Sequence, residues 1–315
     1  MIAFGVAVTR PEDYQRWAGP GIERAREPDS AVYPNSSPGS IFRAYNLLLD
    51  LAAGDERLEA LVLLHQDVEI VDDDFGRKVR GALADPEVAV VGCVGALDAR
   101  TMAWWEGAVT WASFTHRYYE HGGGLLPAFA MSPPDVEPPV YARTGAVDTI
   151  DGFIMVLSPW AVRNLRFDET LGQFHGYDFD LCMQARAAGR KVVTADLRVH
   201  HHHSLELMSD PENWIESNIR LTEKWETDED DAGGREWKAR ARRAEAQASA
   251  SNVMRISANM KAAARERELQ AELESIRGSA SWRYTAPIRR LLAAARARRA
   301  TGDGDRTGPP PGPSA

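Results

Sequence analysis

The stretch Leu61-Val-Leu-Leu-His-Gln-Asp67-Val-Glu69 is an apolar run that ends abruptly in polar residues, one of them a carboxylate. From Ala60 to Leu64 no polar residue alternates, which suits a parallel strand covered on both faces; such sheets gather ligand groups at the carboxyl ends of their strands. A carboxylate there can hold a hard divalent cation, which bridges substrate phosphates and offsets charge developing on a diphosphate leaving group. The plainer reading makes Asp67 a turn residue ahead of Asp72, Asp73 and Asp74.

Two further features belong with Asp67. In Phe174-His-Gly-Tyr-Asp178-Phe-Asp180 an acid stands at the start of an expected helix, where unpaired N–H groups and the macrodipole favour the ionised state a general base needs. Equally, Asp178 or Asp180 can cap that helix. The second feature is the run His200 to His203, expected directly after a last strand over Lys191 to Val199. Alternate residues of an extended segment point the same way, which pairs His200 with His202 or His201 with His203. The imidazole beside Asp67 is assigned to His202, with His200 and His201 as alternatives; the other reading is a surface run that binds metal adventitiously. Between these features, Val147 to Leu157 reads as a strand interrupted at Asp151-Gly152, where a glycine permits close approach of backbone or ligand.

The elements that must position these groups alternate strand and helix. Met1 to Val8 reads as the first strand, Pro11 to Arg26 as a surface helix and Ala31 to Tyr33 as a short strand. A helix capped by Ser40 follows, with Ile41, Tyr45, Leu48 and Leu49 at helical spacing. The strand bearing Asp67, a helix over Phe75 to Leu83 and a strand over Val88 to Val91 complete the signature of a mainly parallel α/β sheet with helices on both faces. Thr101 to Pro139 breaks the rhythm with aromatics (Trp104, Trp105, Trp111, Phe114, Tyr118, Tyr119), Gly122 to Gly124 and two Pro-Pro pairs. It reads as a functional insertion whose aromatics pack in the core or stack on sugar rings.

After a helix over Pro211 to Trp225, the expected domain of residues 1–225 gives way to an acidic and Gly-containing linker, 226–234. Residues 235–280 form a long polar helix or weak coiled coil, either solvated or self-associating. Residues 281–300 form a basic amphipathic helix with Trp282, Tyr284, Ile288, Leu291 and Leu292, suited either to an anionic membrane surface or to intramolecular packing. Residues 301–315, with three consecutive prolines, read as a disordered tail.

Composition narrows the function. With 315 residues, 44% hydrophobic, the chain can bury one substantial domain, and a formal net charge of -9 argues against a general nucleic-acid binder. Cys93 and Cys182 lie in apolar stretches, which argues against a disulfide framework or cysteine zinc site and suits a reducing compartment. Neither a basic leader nor a transmembrane-length apolar run is apparent, so the expected location is cytoplasmic, with any membrane contact peripheral.

Taken in order, Ser40-Ile-Phe-Arg-Ala-Tyr-Asn46, LVLLHQDVEI (61–70), VDTIDGF (147–153), FHGYDFDLCMQARAAGRKV (174–192) and VHHHHS resemble family 2 glycosyltransferases of the GT-A fold, in the bacterial branch where His-Gln-Asp replaces Asp-X-Asp. The match spans about residues 1–225, and SASWRYTAPIRRL resembles a segment that often follows such domains. The resemblance implies a Rossmann-like nucleotide-diphospho-sugar transferase fold. It further implies inverting transfer from a UDP-, GDP- or dTDP-sugar to a saccharide or lipid-linked acceptor, with Mn²⁺ or Mg²⁺, in polysaccharide or glycolipid synthesis at the inner face of the plasma membrane. His65, Gln66 and Asp67 then correspond to the metal motif, and Asp178 to the base of an acidic pair whose first member is Tyr177 here. Trp104, Trp105, Asp148, Asp151 and Gly152 fall on the acceptor side. Asn35 and Ser36 occupy the region where an Asp often holds the nucleobase. A metal-dependent hydrolase would need a fuller ligand set, and a non-catalytic nucleotide-sugar scaffold would have to explain Asp178.

Overall fold

The computed structural model describes residues 1–36, 39–99, 101–111, 114–118, 124–125, 144–203, 208–226 and 235–302. The linker residues 227–234, the tail residues 303–315, Tyr119 and the Pro-Pro pairs of the insertion lie outside them.

The described residues form the strands β1 (Ile2–Ala7), β2 (Ala31–Asn35), β3 (Ala60–His65), β4 (Val68–Ile70), β5 (Val88–Gly92), β6 (Val94–Leu97), β7 (Ala108–Trp111), β8 (Phe114–Tyr118), β9 (Gly124–Leu125), β10 (Ala146–Val147), β11 (Thr149–Ile150), β12 (Ile154–Leu157), β13 (Lys191–Thr194) and β14 (Val199–His203). The main sheet has seven strands in the order β10-β13-β5-β12-β3-β1-β2. β2, β1, β3, β5 and β13 share one direction, while β12 runs against both β3 and β5, and β10 against β13. Alternate residues feed two cores on opposite faces: Ala3, Leu61 and Leu63 on one, Phe4, Val62 and Leu64 on the other. That two-sided burial is why the run Ala60 to Leu64 has no polar alternation.

Helices cover both faces. Ser40 caps Ile41–Ala53 by accepting from Arg43 N at 3.2 Å. The expected helix over 11–26 is present as Pro11–Asp13, Tyr14–Ala18 and Gly19–Ala25, its middle part wound as a π-helix.

Two segments differ from the sequence expectation. Residues 147–157 are not one interrupted strand: β10 and β12 join the main sheet, whereas β11 pairs with β6 in a sheet of order β11-β6-β7. Nor do the histidines trail the last strand. Arg198 takes φ 38°, and the chain then enters β14 of a separate sheet, order β4-β14-β8-β9, with the imidazoles on the strand itself. A break in backbone direction moved them from a loop into a pleat.

Arg235–Gly278 is one continuous helix, and its segment up to Met260 belongs to the same compact unit as the sheet. Ala246, Ser249, Ala250, Val253, Ser257 and Met260 are buried at helical spacing. Ser249 Oγ donates to the carboxylate of Glu106 at 2.9–3.0 Å. Small residues let this helix approach closely, so its contact face escapes a search for large apolar anchors. Lys261–Ala315 forms a second unit, with helices Ala280–Tyr284 and Ala286–Gly302 after the long helix. No helix among the described residues is long and apolar enough to cross a membrane.

The edge that leads to Asp151 depends on Gly95, where an added methyl would run into the carbonyl oxygen of Thr149. Gly95→Ala is expected to lower stability by about 1–3 kcal/mol through overpacking, seen as a lower urea midpoint at unchanged slope; an unchanged midpoint would mean that the β6–β11 pair yields without cost.

Candidate active site

Because β1, β2 and β3 run parallel, their carboxyl ends open onto one edge. Ala7 aligns with both Asn35 and His65. There the chain after β1 is tied to the His65-Gln66-Asp67 segment by one side chain: Gln66 Oε1 accepts from Thr9 N at 2.8 Å and Arg10 N at 2.7 Å, while Gln66 Nε2 donates to Thr9 Oγ1 at 3.0 Å. Gln66 is therefore fully committed to positioning, and it holds Arg10 with its guanidinium 3.6 Å from Asp67 Oδ2. Asn35 accepts from Val8 N through its carbonyl at 2.7 Å, and Ser36 is exposed beside it at the same edge.

Asp67 is 7% exposed. Its Oδ1 lies 3.6 Å from His201 Nε2, and His65, Asp67 and His201 offer donor atoms that all fall within 4.8 Å of one another. Burial pushes the Asp67 carboxyl up, but His201, with His65 and His203, outweighs it and holds the group well below the usual carboxylate range. Burial drives His65 the other way, to about 4 against the pull of Asp67, which leaves a neutral imidazole. His201 stacks on Phe153 with centroids 4.7 Å apart.

The pleat of β14 decides which histidine meets Asp67. His201 does, whereas His202, the residue assigned from sequence, lies with Glu69, its Nε2 3.0 Å from Glu69 Oε2, and only its backbone N–H reaches Asp67, at the carbonyl oxygen (2.8 Å). His200 shares the Glu69 group.

Asp178 sits in the first turn of Tyr177–Ala187, after Gly176 in the left-handed region at φ 83°. Its carboxylate does not cap the helix in the usual i to i+3 manner. Oδ2 accepts from Gly152 N at 2.8 Å and Oδ1 from Phe179 N at 2.9 Å. Burial first, and then the neighbouring Asp151, push its pKa up to about 7. The amides of Phe179 and Gly152 oppose that rise only in part. Asp151 is itself raised by burial, partly offset by His201.

Tyr177 packs against His65 from the same helix, its hydroxyl 2.6 Å from His65 Nε2. Burial, then Tyr45, Asp178, Asp151 and Asp67, raise the phenol well above its ordinary range. Gly152 has no room for a side chain because the Tyr177 ring fills the space. Sequence reading treated Tyr177 only as the missing first acid; its spacing from His65 across 112 residues of chain leaves no local signal.

Other candidates are placed elsewhere. Asp180 is 0% exposed and is spent on Lys224 Nζ, Trp225 Nε1 and Gln184 Nε2, each at 2.8 Å, anchoring the helix Pro211–Trp225. Asp148 accepts from Asp98 N at 2.6 Å and pairs with Arg186 at 2.8 Å, at the rim of the β6 sheet. Trp104 is buried and hydrogen-bonds Asp151 through its side chain. Trp105 shares the short helix Trp104–Glu106.

The α/β sheet thus carries a carboxylate–imidazole group and a separate carboxyl with a raised pKa. The sequence profile described as "Glycosyltransferase like family" matches residues 35–229. "Streptomycin biosynthesis protein StrF" of Streptomyces griseus is 30% identical over 234 residues, 70% of this chain and 73% of that protein. The chain belongs to this glycosyltransferase family and is a glycosyltransferase. Among solved structures, the mannosyltransferase PcManGT from Pyrobaculum calidifontis in complex with GDP-Man and Mn²⁺ aligns over 94% of this chain and 86% of its own at 13% identity and TM-score 0.45. GalNAc-T7 with UDP, GalNAc and Mn²⁺ aligns over 71% of this chain and 48% of its own at 11% identity and TM-score 0.46.

The Asp178 carboxyl is expected to titrate near pH 7 by carbon-13 NMR, and Asp151→Asn to lower that midpoint by removing a neighbouring negative charge. A midpoint near 4 in the unsubstituted protein would show that solvent reaches the carboxylate.

Proposed function

We propose that the protein transfers a sugar, with inversion at the anomeric carbon, from a nucleotide-diphosphate donor to a saccharide or lipid-linked acceptor, with Asp178 as general base. The observation that carries this is the Asp178 carboxyl, held by the Gly152 and Phe179 amides and raised to about 7. A base with that pKa balances ionisation at neutral pH against proton-accepting strength. The proton of the acceptor hydroxyl passes to Asp178 as the acceptor oxygen bonds to the anomeric carbon, and the bond from that carbon to the diphosphate oxygen breaks on the opposite face. One displacement inverts the centre.

His65, Asp67 and His201 are the residues that would hold the donor's cation, and a set with two imidazoles fits Mn²⁺ better than Mg²⁺, which prefers oxygen. A bound Mn²⁺ would supply charge stabilisation to the departing diphosphate. Arg10 stands on the other oxygen of Asp67 and adds positive charge at that edge. The carboxyl ends of β1 and β2, with Asn35 and Ser36, line the nucleoside side, and Trp104, Asp151 and Gly152 the acceptor side.

The test is a panel of UDP-, GDP- and dTDP-sugars with Mn²⁺, read as released nucleoside diphosphate and transferred sugar. Asp178→Asn is expected to lower transfer by about 10²–10⁴-fold, the usual contribution of a general base, with donor affinity kept. Asp67→Ala is expected to lose metal-dependent donor binding itself. Turnover should rise with pH through about 7 as Asp178 deprotonates. Full transfer by Asp178→Asn would refute the assignment of the base.

The acceptor reading extends to the second unit. Tyr284, Ile288, Leu291 and Leu292 are 84%, 59%, 73% and 55% exposed, among the six arginines of 281–299. Apolar side chains interleaved with guanidinium groups suit an anionic lipid surface. Deleting residues 281–315 is expected to abolish cosedimentation with phosphatidylglycerol vesicles while sparing donor turnover; equal sedimentation of both forms would remove the membrane from this picture.

A further inference from the structure

The described residues contain a second carboxylate–imidazole group that the transfer reaction does not use. Glu69 on β4 and His200 on β14 are direct partners in the antiparallel pair, and His202 lies two residues further along the same face. Glu69, His200 and His202 bring one donor atom each within 4.8 Å of the others.

Polar contacts and ring stacking set this geometry. Glu69 Oε2 faces both rings, 3.0 Å from His202 Nε2 and 3.7 Å from His200 Nδ1, while Arg24 lies 3.6 Å from the other oxygen, Oε1. Arg24 is itself fixed by donating to Ile70 O at 2.7 Å. The carboxylate thus has one oxygen turned toward the imidazoles and one held from outside, an arrangement that orients metal ligands. The His202 side chain is 5% exposed and stacks flat on Trp17, with centroids 3.5 Å apart and planes at 9°, so its ring cannot turn freely. The His200 ring stands at 84° to it, so the two nitrogens converge from different directions.

We propose that Glu69, His200 and His202 form a second metal site, separate from the Asp67 group, which takes a transition-metal ion of the zinc class. Two imidazoles and one carboxylate are a recurrent zinc ligand set with a fourth position for water. Arg24 and Arg117, the latter opposite His202 across the β14–β8 pair, disfavour a hard cation held by charge alone. Its consequence is mechanical. The ion cross-links β4 to β14, the two strands that flank Asp67 and carry His201, so it fixes the pleat that gives His201 to the catalytic edge and His202 to the opposite one.

The test uses the full chain, stripped with chelator and titrated with Co²⁺ alone, without nucleotide, reading visible d–d absorption and then the melting temperature with Zn²⁺. The expected result is an intense four-coordinate band that persists in Asp67→Asn, where the first group has lost its carboxylate. When His202→Asn or Glu69→Gln is added to Asp67→Asn the band is lost, or its affinity falls at least about 100-fold, more than loss of an outer-shell partner causes. Zn²⁺ should raise the melting temperature of the unsubstituted protein and of Asp67→Asn but not of those two variants. If the His202 variant fails to fold by circular dichroism, His200→Asn decides. Absence of a band in the unsubstituted protein, its survival in both double variants, or its loss in Asp67→Asn alone would each overturn the proposal.

Discussion

The hydrogen bond from Gly152 N to Asp178 Oδ2 is the contact on which the site depends. It joins the turn before the reversed strand β12 to the start of the helix Tyr177–Ala187. The bond exists because residue 152 has no side chain: the Tyr177 ring fills that space and its hydroxyl reaches His65. One glycine therefore sets the position of the raised carboxyl and of the phenol that braces the metal motif. A methyl there would displace the ring, and the carboxylate with it.

The acids of this chain differ in role because their surroundings differ. Asp180, two residues from Asp178, is fully buried yet satisfied by an ammonium, an indole and an amide, which makes it an anchor. Asp178 has only backbone amides and a like-charged neighbour, so its ionised form is disfavoured and its basicity retained. Asp67 is nearly as hidden, but imidazoles on both sides keep it ionised. The same side chain thus stands in three different settings: paired with an ammonium, held by amides with its pKa raised, and kept ionised beside imidazoles.

The long helix has an analogous division of labour within one element. Up to Met260 its small residues dock on the sheet domain and its Ser249 holds Glu106, next to the aromatic segment that touches Asp151. Beyond Met260 it belongs to the second unit, where Leu269, Leu273 and Ile276 are 42%, 49% and 51% exposed. Ala and Ser at contact positions give close approach without a strong apolar signal, which is why composition alone described this helix as polar throughout.

The α/β character, the strand that delivers Asp67 and the Ser40 cap were legible from the sequence, because each depends on local periodicity, capping chemistry or an apolar run of fixed length. The partners of those residues were not. The sequence put His202 beside Asp67, with His200 and His201 as alternatives; beyond Arg198, at positive φ, the histidines enter a pleat that sets His200 and His202 beside Glu69 and His201 beside the Asp67 carboxylate. Likewise Gln66 reads as part of a metal motif until its amide is seen tying Thr9 and Arg10 across 57 and 56 residues of chain. Local sequence determines which groups exist and which secondary structure bears them. Register and strand direction, which depend on pairing between distant segments, decide which of those groups meet.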